Sequence, residues 1–203
     1  MVWLGTVTAG VMFLDRRTRG NLVALILGAM ALLSGGAAWG ECPRGGMPSS
    51  ALDPLSTYER MRHIGERALV QELAKTGKWG PVMQGISCGE MAWINIGVLL
   101  APQTRGRQRR ELHMAFEEAL VMAPERVLAA LDSSSASLQL ACGPSSYPTY
   151  DLASNSLYER QSAVMSMLLP DAPKHSLVRR ESIEECLKLL EAEESDIQQR
   201  YSP

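Results

Sequence analysis

Residues 87–102 read Ser-Cys-Gly-Glu-Met-Ala-Trp-Ile-Asn-Ile-Gly-Val-Leu-Leu-Ala-Pro, and this stretch decides the fold class. Met91, Ala92, Trp93, Ile94, Ile96, Val98, Leu99 and Leu100 leave almost no polar face, which suits a helix packed on several sides by others. Ser87 and Glu90 have the spacing of a capping box, in which a hydroxyl and a carboxyl satisfy the first free backbone N–H groups, and Pro102 stops the run. A central apolar helix over about 87–101 is therefore expected.

On either side the apolar period stays helical. Strand-like alternation of aromatic and β-branched residues is missing from residue 41 onward. Upstream, Ser56 and Glu59 predict a second capping box, with Tyr58, Met61, Ile64, Ala68 and Leu69 as one stripe and Gly77 as a left-handed C-cap. Downstream, residues 108–122 place Leu112, Phe116, Ala119 and Leu120 inward, and Arg110, Glu111, Glu117 and Glu118 outward. Pro124 suits the first position of a short helix carrying Val127, Leu128 and Leu131.

Two segments break the pattern: the Ser-rich residues 132–137, and residues 143–155, which are rich in Pro, Ser and Tyr. Ser156 and Glu159 open the next helix, through Val164, Met165 and Leu168 to Pro170. The last begins near Ser182 and buries Ile183, Cys186, Leu187, Leu190 and Ile197, with residues 191–202 a polar tail that frays. The expected fold is all-α: a compact bundle of about five to six helices, built from antiparallel pairs around the central helix and carrying two disulfides.

Residues 1–40 read as a secretory signal peptide. Arg16, Arg17 and Arg19 form the basic start, residues 22–33 the apolar centre, and the small residues before Glu41 the cleavage site, after Gly40 or Ala38. Translation from Met12 rather than Met1 would give a leader of ordinary length. A retained membrane anchor over residues 21–40 is the alternative, opposed by four glycines and a short apolar centre. Residues 41–203 then form a single helical domain.

The whole chain has 20 basic and 22 acidic residues; losing Arg16, Arg17, Arg19 and Asp15 leaves 17 and 21, a formal charge of −4. That balance gives no field for nucleic acid, and the one dense basic cluster, Arg105, Arg107, Arg109 and Arg110, is followed at once by Glu111, Glu117 and Glu118. No membrane partner is expected after cleavage.

Four cysteines, Cys42, Cys88, Cys142 and Cys186, lie beyond the leader. An even count in an exported chain indicates two disulfides, paired Cys142 with Cys186 and Cys42 with Cys88; free, buried thiols are the alternative. Their wide spacing matches no redox, haem or zinc motif, so neither metal nor cofactor is expected.

Tests for catalysis find little. His113 and Glu117, four apart, read as an exposed helix ion pair. Cys88, near a predicted helix N-terminus, would be a nucleophile with His113 as its base only if it were not oxidised. Glu90 is the best carboxylate for a small cell-wall hydrolase, which would need a second carboxylate about 5–9.5 Å away. No G-x-S-x-G or phosphate loop occurs.

What remains is recognition by surface, with Trp79, Tyr147 and Tyr150 expected in turns or loops as binding residues. The general type, an exported disulfide-bonded helical domain without a catalytic motif, resembles small periplasmic binding and inhibitor proteins, including immunity proteins. The expected function is non-catalytic, by contact with another protein; a hydrolase using Glu90 is the alternative. The oligomeric state is left open.

Overall fold

The computed structural model describes residues 52–131, 135–144, 146–169 and 178–201. The expected leader, the choice of start codon, Cys42 and the Pro170 helix stop fall outside them. All described residues belong to the unit Cys42–Pro203, and their regular structure is wholly helical. The elements are α1 (Pro54–Ile64), α2 (Glu66–Lys75), α3 (Trp79–Ser87), α4 (Met91–Leu100), a 3-10 turn (Ala101–Gln103), α5 (Gly106–Met122), α6 (Pro124–Leu131), α7 (Ser135–Cys142), α8 (Tyr150–Ser166) and α9 (Arg180–Tyr201).

Among the described residues nine helices stand where five or six were expected, because several expected elements divide or appear where turns were read. The helix expected to begin at Ser56 starts two residues earlier: Asp53 is the cap, its carboxylate accepting from the Ser56 N–H at 2.8 Å, with Pro54 at the first helical position. Ser56 instead donates its hydroxyl to the Asp53 carbonyl. Gly65, at φ 84°, then divides the run into α1 and α2, and Tyr58 and Ala68 of the expected stripe are exposed. Gly77 ends α2 as expected. Its positive φ lets Lys78 N–H reach the Leu73 carbonyl at 2.9 Å, as in a Schellman cap.

Ser87 is not a helix start. It is the last residue of α3, and Cys88, Gly89 and Glu90 close that helix, with Glu90 N–H donating to the Gly85 carbonyl at 3.2 Å. Glu90 is the N-cap of α4 by position, but its side chain makes no cap hydrogen bond. The expected capping box is therefore absent, since Ser87 is already committed to the preceding helix.

Trp93, Ile94, Ile96 and Leu100 of α4 are buried, whereas Leu99 is exposed and Met91 lies at the surface. Around α4 pack α1, α2, α3 and α6, while α5 gathers α3, α6, α7 and α8. Two helices thus share the centre expected for one. They meet where Gly97 of α4 lies on the Phe116 ring of α5; a Cβ there would stand 3.1 Å from that ring. Leu112, Phe116, Ala119 and Leu120 face inward as expected, and so do Val127, Leu128 and Leu131 of α6.

The largest helix contact is that of α8 with α9, and Cys142 at the end of α7 is disulfide-bonded to Cys186 of α9, the expected pairing, across 44 residues. The other expected bridge, Cys42 with Cys88, involves a residue outside the described ones; Cys88 is not a free thiol. At the C-terminus residues 191–201, expected as a polar tail that frays, are helical: α9 continues to Tyr201, burying Ile197 as expected and Glu193 as well.

Candidate functional site

The connection after Cys142, which the sequence read as a loop to 155, ends sooner: α8 begins at Tyr150, after Thr149, and not at Ser156. This shorter loop lies over a buried ionic cluster. Its centre is Arg160 of α8, fully buried, whose guanidinium donates to Glu193 Oε2 of α9 at 2.8 Å and to the carbonyls of Ala141 at 3.0 Å and Gly143 at 3.2 Å. Arg160 Nε also donates to the Ser156 carbonyl at 3.3 Å.

Glu117 of α5, expected on the solvent face beside His113, is only 1% exposed. Its carboxylate lies 4.0 Å from Arg160 and accepts from the Ser146 N–H at 3.2 Å and the Ser156 hydroxyl at 3.3 Å. The exposed His113–Glu117 pair is thus replaced by a buried link between α5, α8 and the loop. A lone buried carboxylate would cost several kcal/mol, and this set of donors offsets that cost. His113 is half-buried instead. Burial, reinforced by the charge of Arg109, holds its imidazole below the ordinary value, and its Nε2 has no hydrogen-bond partner among the described residues.

The loop aromatics divide by environment. Tyr147 is half-buried and donates its hydroxyl to Glu118 Oε1 at 3.5 Å; burial, then the charges of Glu118 and Glu117, push its phenol above the ordinary range. Tyr150 is 47% exposed. Trp79, expected in a turn, opens α3 and is buried, because α3 packs its apolar side on α5.

From Tyr150 onward α8 presents an outer surface that the sequence reading did not separate from its core stripe. Ala153, Leu157, Arg160 and Val164 point inward, while Tyr158 (74% exposed) and Met165, seven residues apart, share an outer face that continues into Leu168 and Leu169. Between this face and α9 runs an open groove of about 170 Å³, with Tyr150 and Tyr158 on one side and Glu194 and Gln198 on the other.

For catalysis, Glu117 and Glu193 are two carboxylates on one arginine, yet both are sealed from solvent and held by Arg160. Glu90 stands apart from them on α4, partly exposed. Among the described residues, three or more His, Cys, Asp or Glu side chains nowhere gather as metal ligands, and no helix is long and apolar enough to cross a membrane. No family model, curated protein or solved structure matches the chain.

Proposed function

We propose that the chain is an exported, non-catalytic helical protein that acts by contact with another protein, as an inhibitor or immunity-type protein does. The observation that supports this most is the outer face of α8. Tyr150, Tyr158 and Met165 are exposed on α8, and Leu168 and Leu169 just beyond its end, while the inner face of that helix is fixed to α9, to α5 and to the loop by Arg160 and its partners. Exposed aromatics on a rigid support bind with little loss of conformational freedom. Export is supported by the basic, apolar and small-residue order of residues 1–40, and the Cys142–Cys186 disulfide is compatible with an oxidising compartment. The second expected bridge, Cys42–Cys88, belongs to the same proposal.

Tyr150 of the expected binding residues carries the contact, and Tyr158 joins it; Tyr147 braces the loop and Trp79 the core. The test is capture of the partner by the tagged protein from its host's periplasm, followed by direct binding of that purified partner. Tyr150→Ala with Tyr158→Ala is expected to weaken binding by about 2 kcal/mol or more, with an unchanged helical spectrum. Equal binding by parent and double variant would move the contact elsewhere, first to the exposed face of α5.

A further inference from the structure

The groove between α8 and α9 has a chemistry more specific than an apolar face. Leu157 and Ile197 form its apolar floor, the Tyr150 and Tyr158 rings stand along α8, and Glu194 and Gln198 present acceptors from α9. Its volume of about 170 Å³ is below the roughly 300–1,000 Å³ of small-molecule pockets and nearer to one side chain. We infer that it receives an arginine side chain presented by the partner protein. This rests on the contact reading above and assigns the partner's chemistry.

An arginine matches the apolar, aromatic and acidic parts of the groove at once. Its methylene stem covers the apolar floor, its planar guanidinium stacks on a tyrosine, and its fork of N–H donors meets a carboxylate. Charge complementarity points the same way. The α9 sequence RESIEECLKLLEAEESDIQQRY holds seven acidic and three basic residues. Each of the three, Arg180, Lys188 and Arg200, is paired on its own helix, with Glu184, Glu185 and Asp196. Glu194 takes part in none of the ion pairs formed among the described residues. Exposed on the rim of the groove, it is open to a cation brought by the partner. An anionic or purely apolar segment would leave the Glu194 carboxylate desolvated without a partner.

The test is an NMR titration of the oxidised, labelled protein with N-acetyl-arginine amide, beside the citrulline amide, which has the same shape without the charge. Saturable shifts at Tyr150, Tyr158 and Glu194 are expected, with arginine preferred at least about tenfold. Glu194→Gln should remove that preference, Tyr158→Ala should weaken binding roughly threefold or more, and Tyr158→Phe should retain it. Equal response to citrulline, no saturable shift, or full affinity in Glu194→Gln would overturn the assignment. So would shifts at Arg105 to Arg110 that grow with protein concentration, since the groove would then be taking a second copy of this chain. If the captured partner needs Tyr150 and Tyr158 but arginine amide does not bind, the contact reading stands and this inference falls. If arginine amide binds but the tyrosine variants hold the partner fully, the reverse is true.

Discussion

On α8, Arg160 stands three residues after Leu157 and four before Val164; on α9, Glu193 stands three after Leu190 and four before Ile197. Both are core positions of helical stripes, and opposite charges at core positions of two helices are a sequence signal for a buried pair. That signal was readable, but it was obscured because Glu193 sat in an apparently polar tail and Arg160 in the shadow of a capping box. Glu117 was less legible: it lies at the edge of its stripe, and only the partners brought by residues 146–160 explain its burial. Removing the shared cation isolates two carboxylates, so Arg160→Ala is expected to cost about 3–5 kcal/mol in urea unfolding. Arg107→Ala breaks an exposed pair with Glu111 and should leave the midpoint unchanged. His113 sets a pH dependence. Its folded pKa lies below the ordinary 6.5, so the unfolded chain takes up the proton first, and stability present above 6.5 is lost as pH falls through 6.5 toward the folded value. Urea midpoints at pH 7.5 and 5.5 should differ less in His113→Gln than in the parent.

Among the elements, those with strong stops were legible: Gly77 and Pro124 mark real boundaries, and α5 keeps its expected apolar stripe. The helix α3 was not legible, because Gly80, Pro81 and Gly85 are turn residues by local preference. Packing overrides that preference. Pro81 falls in the first turn, where its missing N–H costs nothing, and Gly85 is a contact point rather than a break. A Cβ at position 85 would overlap the Trp93 indole, which is completely buried. Gly85→Ala should therefore destabilise by about 1–3 kcal/mol, although alanine is the better helix former. Near-UV circular dichroism should report the displaced indole; a stabilised variant with an unchanged tryptophan signal would show that the α3–α4 contact is not as close as described. Glu90→Gln, one element away, should change stability very little, since its side chain makes no cap bond.

The molecule as a whole is tied together by a bond that both the sequence and the structure give, Cys142–Cys186. It joins the end of α7 to α9, and the loop it closes contains all of α8, so it holds in register the helices that carry the groove and the Arg160 cluster. With its ends 44 positions apart in sequence, the bridge restricts the unfolded chain by about 4 kcal/mol in the loop-entropy model. Domain stabilities are only about 5–15 kcal/mol, so this one bond is a large share of what separates folded from unfolded. The double substitution Cys142→Ser with Cys186→Ser is therefore expected to lower the thermal midpoint by roughly 8–16 °C for a domain of this size, measured on protein made in the same oxidising compartment. Because α9 is held to α7 by the bridge at Cys186 and to α8 by Arg160 with Glu193 further along, the two losses should not add. Combining Arg160→Ala with the cysteine pair should cost less than the sum of the separate changes, since a loosened α9 lets Glu193 reach water. Strict additivity in that double-mutant cycle would mean that the disulfide and the ionic cluster stabilise separate parts of the fold, and the groove between them would lose its claim to a rigid frame.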